Sequence, residues 1–304
     1  MIVLGNFFVD SPDRLEQLIN SFGSFYDAYK FDRWIINCRG RYAIDVGEFL
    51  ASKIDSASLL FFSFESKKGW FYDSAWLAQK APSQNIFLWV EDHVFINSRL
   101  KFAQMIMEFE SSALDVMGYS WWHQSTRDFF NLLECESDSG LIKGFELDFT
   151  DRRQRNLFNE ARLYVVGMQS LFRRQFFEDC LIKHGPRLRR WHPNLPFDLE
   201  KTPDDLRNAK VKVGFLKEEM ACSIDDDHGD EGYSLVARGV YPDTRRVLTY
   251  HIESGVKLKI KQGLKSNFPT LLLVVSSIYK LLRRVTYTAK YVFYLSDLKK
   301  VLKG

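Results

Sequence analysis

The chain has 304 residues, 46% of them hydrophobic and 15% aromatic, which supports a large core and excludes a disordered or low-complexity protein. The longest apolar run, Leu271 to Val275, is far below the roughly 18 residues that span a bilayer, so an integral membrane protein is excluded as well. The net charge is +3, yet residues 256–304 carry eleven Lys/Arg against the single acid Asp297, a net of +10 that leaves −7 on residues 1–255. In chain order, Ile2 to Val9 is apolar and strand-like. Ser11 then stands as an N-cap with Pro12 at the first helical position, and Leu15, Leu18, Ile19 and Phe22 recur at helical spacing. Trp34 to Cys38 is a second strand ending in the polar turn Arg39-Gly40-Arg41, and Val46, Phe49 and Leu50 mark a short helix. Ser58 to Phe64 is a third strand, Gly69 to Ala81 a helix, and Ile86 to Val90 a fourth strand. That strand is an unbroken apolar run, the pattern of a strand buried on both faces, and it drives into Glu91, Asp92 and His93.

Beyond Ile96 the pattern predicts a helix over Leu100–Phe109 and a strand over Ala113–Tyr119. Residues 125–138 read as partly helical and 140–149 as extended. Tyr164–Met168 reads as a strand, Leu171–Leu181 as a helix, and the proline-bearing stretch 186–208 as an irregular connection. Val211–Phe215, Tyr233–Ala237, Val247–Ile252 and Val256–Ile260 read as strands, the last two joined as a hairpin by Glu253-Ser254-Gly255. Residues from Pro269 onward form an amphipathic basic helical tail. Strand–helix alternation with short connections predicts an α/β fold with a mostly parallel sheet flanked by helices. The four cysteines are widely separated without metal-ligand spacing, and read as reduced thiols, mostly in the core. No basic n-region or cleavage site opens the sequence, so the expectation is a cytoplasmic protein.

The order of features in residues 1–96 resembles the nucleotide-binding half of a GT-A glycosyltransferase of the family 2 type. The resemblance rests on Ser11-Pro12-Asp13-Arg14-Leu15 after the first strand, and on the helix from Gly69-Trp70-Phe71-Tyr72-Asp73 through Ala78. It rests most on the spacing of that helix from Ile86–Val90 and Glu91-Asp92-His93. The family's usual motif is Asp-any-Asp, from which this chain departs. The resemblance implies a GT-A-like catalytic domain over residues 1–235, with a nucleotide-binding half at 1–96 and an acceptor half at 97–235. A β-hairpin and basic amphipathic extension would then fill 236–304. It also implies a nucleotide-sugar donor, a saccharide or lipid-linked saccharide acceptor, and transfer to an acceptor hydroxyl in bacterial surface polysaccharide or glycolipid synthesis.

Under that reading the donor contacts are expected from Phe8, Asp10, Asn37, Arg39, Glu65, Lys67, Trp70, Asp73 and Glu91, at the strand ends and the following helix. Asn and Asp suit a base edge, and Arg a phosphate. Arg39 and Arg41 could equally be structural, pairing with Asp45 or Glu48, and Lys67 and Lys68 could equally be a solvated turn. The developing charge on the leaving diphosphate must be neutralised by a metal or by cationic side chains. Asp92 with His93 and His228 is the candidate metal set, with Mg or Mn the ion the acids would accept. Tyr119, Trp121, Trp122 and His123 offer ring faces and an imidazole to an acceptor sugar. Asp225, Asp226 and Asp227 are the candidate catalytic carboxylates, one of which would take the acceptor's proton; an exposed acidic loop is the other reading. The basic tail suits an anionic membrane surface, which predicts peripheral attachment at the inner face of the cell membrane, with no nucleic acid partner. Two other function classes stay open. One is a metal-dependent hydrolase or nuclease built on the carboxylate clusters; the other is a non-catalytic binder of nucleic acid or membrane surface.

Overall fold

The computed structural model describes residues 1–64, 70–120, 133–152, 154, 169–184, 210–224 and 234–241. Their elements are β1 (Ile2–Phe8), α1 (Pro12–Phe25), β2 (Arg33–Arg39), α2 (Ala43–Ala51), β3 (Leu59–Phe62), α3 (Trp70–Ala78), β4 (Asn85–Leu88) and β5 (His93–Phe95). There follow α4 (Arg99–Ser111), β6 (Val116–Gly118), β7 (Ser137–Asp138), β8 (Ile142–Asp148), β9 (Ser170–Arg173), α5 (Arg174–His184), β10 (Lys210–Leu216) and β11 (Ala221–Ser223).

Nine strands form one sheet in the order β3-β2-β1-β4-β9-β6-β10-β8-β7. The first four are mutually parallel. β9 enters antiparallel between β4 and β6, β10 is parallel to β6, and β8 turns back against β10. The expected α/β fold with a mostly parallel sheet is the observed one. A two-stranded sheet pairs β5 with β11. Among the described residues no helix is long and apolar enough to cross a membrane.

Period-two alternation divides the sheet between two cores. On β1, Val3 and Phe7 enter one core while Ile2 and Leu4 enter the other; on β4, Phe87 and Trp89 face the first and Ile86 and Leu88 the second. Helices α1, α2 and α4 cover the first face, through Leu18, Phe22 and Phe25, through Val46 and Leu50, and through Phe102, Met105 and Ile106. Helix α3 and Phe177 of α5 cover the second. Ser11 caps α1 by accepting from Arg14 N at 3.2 Å, with Pro12 in the first turn, as the sequence predicts. Ser98 caps α4 in the same way. The C-terminal end of α4 is met by Arg173, whose guanidinium donates to the carbonyls of Phe109 and Ser112, where the helix dipole favours a cation. Cys38 and Cys222 are buried and Cys135 is exposed.

Two expectations are corrected. Ser170–Arg173 is a strand, so the predicted helix over Leu171–Leu181 begins only at Arg174: Leu171 and Phe172 pair with both β4 and β6, and this tertiary pairing overrides their helical spacing. Residues 234–240 form turns in place of the strand predicted over Tyr233–Ala237. There Ser234 Oγ accepts from Ala237 N and Ser234 O from Arg238 N, closing the chain on itself. The predicted elements within 164–168, 186–208 and 247–304 lie outside the described residues, as does the helical part of 125–138 up to residue 132.

Candidate functional site

The strand order 3-2-1-4 creates a switch point between β1 and β4, because the chain leaves β1 toward β2 on one side while β4 lies on the other. Open α/β sheets receive ligands in the crevice at the carboxyl ends of strands around such a point. Three strands end here in polar groups: β1 in Asp10, beside Phe8, β2 in Arg39 and Arg41, and β4 in Glu91 and Asp92. Phe8 closes β1 and is 45% exposed, whereas Phe7 beside it is buried.

The β2 end is fixed by backbone geometry. Gly40 has φ +98°, and a Cβ there would stand 2.3 Å from Val9 O. Val9 N donates to Arg39 O and Tyr42 N to Val9 O, so the turn is stitched to the end of β1. Arg41 folds over Asp10, its Nε donating to Oδ1 at 3.0 Å and its Nη2 to the Asp10 carbonyl at 2.7 Å. This hydrogen bonding by Arg41 holds the Asp10 carboxyl below its ordinary range. Arg39 itself is buried.

Beneath the strand ends lies a relay of buried amides. Asn37 Nδ2 donates to Asn6 Oδ1 at 3.1 Å, and Asn37 Oδ1 accepts from Phe64 N at 3.1 Å. Asn6 Nδ2 donates to Ser74 Oγ at 2.9 Å, and Trp70 Nε1 donates to Asn6 O at 3.1 Å. The relay fastens the end of β3 and the start of α3 to the two central strands. Trp70 and Asp73 are fully buried in this support, and Asn37 lies at its centre. These three expected donor contacts therefore lie below the rim, where their contacts are with the protein.

The acid turn after β4 is clamped from both sides. On one side Trp89 Nε1 donates to Ser21 Oγ of α1 at 2.9 Å, and that hydroxyl donates to the His93 carbonyl. Ser24 Oγ, on the next turn of α1, accepts from Phe95 N at 3.0 Å. On the other side Ile224 N donates to Asp92 O at 2.7 Å, continuing the β5–β11 ladder. The turn frees its side chains from strict alternation. Glu91 reaches Arg14 Nη1 at 2.7 Å, and Asp92 Oδ1 meets His93 Nδ1 at 2.7 Å. Burial, only partly opposed by Arg14, pushes the Glu91 carboxyl above its usual range. Burial works the same way on Asp92, but the charge and hydrogen bond of His93 outweigh it and hold that carboxyl low.

Tyr119 is also buried, its hydroxyl donating to Leu88 O at 2.9 Å, so its ring supports the end of β4 from below. An acceptor could not reach it there, which moves the expected acceptor contact at this position into the core. Glu65, Lys67, Trp121, Trp122, His123, Asp225, Asp226, Asp227 and His228 lie outside the described residues. Among the described residues no group of three or more His, Cys, Asp and Glu side chains is arranged to hold a metal ion. Asp92 and His93 are paired with each other, so they do not by themselves make a metal site. The sequence pattern places Arg14 in the motif after the first strand but marks neither Arg14 nor Ser21 as a site residue. The available signal was their place on α1, one and three turns beyond the switch-point strand, facing the acid turn.

No protein-family model and no curated protein matches the sequence. Among solved structures, TarS 1–349 of S. aureus superposes with a TM-score of 0.43 at 12% identity, covering 73% of this chain and 60% of that one. The same protein in complex with UDP-GlcNAc gives 0.44 at 10% identity, over 73% of this chain and 58% of that one. HddC from Yersinia pseudotuberculosis gives 0.39 at 11% identity, over 73% of this chain and 93% of that one. The chain thus spans about 60% of the length of TarS 1–349. At such low identities and superposition scores these likenesses assign neither family nor activity.

Proposed function

We propose that the chain is a nucleotide-sugar-dependent glycosyltransferase with a GT-A-like catalytic domain. The observation that carries this reading is the switch-point crevice. Phe8, Asp10, Arg41, Glu91 and Asp92 gather there from the ends of three parallel strands, and the hydrogen bond from Ile224 to Asp92 brings the chain to that rim one residue before Asp225-Asp226-Asp227. An exposed ring suits a nucleobase, a carboxylate suits base or ribose donors, and a guanidinium suits the diphosphate.

In the transfer, the acceptor oxygen forms a bond to the sugar's anomeric carbon as the bond from that carbon to the diphosphate oxygen breaks. The nucleoside diphosphate leaves with the bonding pair. A carboxylate of the Asp225–Asp227 run is the group we assign to take the acceptor's proton. The acid turn's role is to fix the wall against which the diphosphate lies, and its double clamp preorganises that wall. The acceptor would be a saccharide or lipid-linked saccharide. The net +10 of residues 256–304 would hold the enzyme at the cytoplasmic face of an anionic membrane.

The test is turnover of a panel of UDP-, GDP-, CMP- and dTDP-sugars with a pooled lipid-linked saccharide extract, read as release of nucleotide and mass gain of acceptor. One donor class should turn over, and Asp226→Asn should lower the rate by about a hundredfold or more, the scale of a lost acid–base group. Release of nucleotides from DNA or RNA with every sugar donor untouched would instead establish the hydrolase reading.

A further inference from the structure

We propose that the Arg14–Glu91 pair is a gate across the switch-point crevice, opened when a diphosphate takes Arg14 as its own counter-ion. The inference rests on the nucleotide-donor reading above, and it adds a ligand-binding residue which that reading does not contain.

Arg14 sits in the first turn of α1, the connection that leaves β1 toward β2, whereas Glu91 sits in the turn that ends β4 on the other side of β1. Their 2.7 Å contact therefore ties the start of α1 to the acid turn, at the rim where β1 and β4 end. A ligand held over the carboxyl ends of β1 and β4 would lie beside this pair.

The two partners are unequal. The Arg14 side chain is 52% exposed and the Glu91 side chain only 13%. The carboxylate belongs to the wall and the guanidinium stands over it. Glu91 is the one hydrogen-bond partner of that guanidinium among the described residues, which leaves most of its five N–H donors turned to solvent. An ion pair with one partner this exposed holds by about 1 kcal/mol or less. A diphosphate carries more charge than a carboxylate and accepts bidentate bonds from the planar fork, so it competes favourably for Arg14.

Arg41, the other exposed arginine on this rim, is a poorer candidate. Its Nε, its Nη2 and its backbone N–H are all committed to Asp10. The helix end adds little of its own, since Ser11 Oγ already takes Arg14 N, Pro12 has no N–H and Asp13 places a negative charge in the first turn. The cationic group at the crevice is thus the Arg14 side chain. In the closed state it screens Glu91; in the open state it lies on the diphosphate and Glu91 remains in the wall.

Isothermal titration in the presence of EDTA tests this, using UDP, GDP and CDP and the matching nucleosides against the wild type, Arg14→Ala, Arg14→Lys and Glu91→Gln. For whichever diphosphate the wild type binds, Arg14→Ala should weaken it about tenfold or more, the scale of a lost charged hydrogen bond, and leave the nucleoside unchanged. Arg14→Lys should fall between the two. Glu91→Gln removes the competitor and should bind the diphosphate several-fold more tightly than the wild type. Weaker binding by Glu91→Gln would show that the pair acts as one structural unit, and the gate would be wrong. Unchanged binding by Arg14→Ala would remove Arg14 from the ligand. If the wild type bound none of the three diphosphates, the donor reading would itself fall and take the gate with it, an outcome distinct from the other two.

Discussion

Gly40 shows how much a single residue determines at this site. Its φ of +98° belongs to the region that L side chains avoid, and the space a Cβ would take is held by the Val9 carbonyl at 2.3 Å. Backbone, unlike a flexible side-chain tip, cannot swing aside. Gly40→Ala should therefore cost about 1–3 kcal/mol. It should also shift Arg41 off Asp10, because that turn carries Arg41 and is stitched to the end of β1, where Asp10 lies. Urea unfolding reads the first effect. The second is read as a rise of the Asp10 carboxyl toward its ordinary value, since Arg41 is what lowers it. A variant as stable as the wild type would show that the turn adapts. The polar turn Arg39-Gly40-Arg41 was legible from the sequence, but the partners of its arginines were not. Asp45 and Glu48 are nearer in the chain, yet Asp10 is the acid that Arg41 meets, because parallel pairing of β1 and β2 places their two ends side by side.

Among the elements, α1 does more than cover the sheet. Ser21 and Ser24 stand on its buried face and grip the acid turn and β5, so the helix that bears Arg14 also positions Glu91. Ser21→Ala leaves the Trp89 indole N–H without its partner in the core. That should cost about 1–3 kcal/mol, the penalty of an unsatisfied buried donor. Nucleotide affinity should fall with it as the turn loosens. Loss of stability with unchanged affinity would assign Ser21 to the core alone. A second element contact has a pH signature. Glu108 of α4 accepts from Leu141 N at 2.8 Å and from Ser139 and Gln104, tying the β7–β8 turn to the helix. Burial works against its charge, but these hydrogen bonds win and the carboxyl is held below its ordinary 4.5. A lowered folded-state value means stability that is fully present above 4.5 and is lost as pH falls through the folded value. Glu108→Gln should flatten that part of the acid-unfolding curve. The wild type and variant should then converge at the acid end, and parallel curves would exclude the linkage.

At the scale of the whole molecule, the alternation of strands and helices up to Ile96 was readable because the elements there carry their own periods and α1 its own cap. Capping by Ser11, the helical stripe of α1 and the doubly buried run of β4 are local statements that the tertiary structure keeps. The reading weakened where non-local pairing decides. Leu171 and Phe172 fit a helix by spacing, and only the gap between β4 and β6 makes them a strand. The same holds for the site: the acids after β4 were visible, whereas the clamp from α1 and the bond from Ile224 join residues far apart in the chain. β4 also couples the two cores, since its alternate side chains enter both.

That coupling gives a prediction for Phe25, which is fully buried where α1, β2, β4, β5 and α4 meet. Its ring lies against Trp34, Phe87, Trp89, Phe95 and Phe102 at 5.1 to 5.8 Å between centroids. Phe25→Ala leaves a cavity that so many rigid rings cannot close, and should cost about 3–5 kcal/mol. Phe25→Leu should recover much of the loss because it refills most of the volume. If β4 transmits the defect, unfolding followed by tryptophan fluorescence and by far-ultraviolet circular dichroism should remain one coincident transition at lower urea, since Trp34 and Trp89 report one core and Trp70 the other. Two separated transitions would mean that the second core stands without the first. The strand that carries the acid turn would then be anchored from one side only.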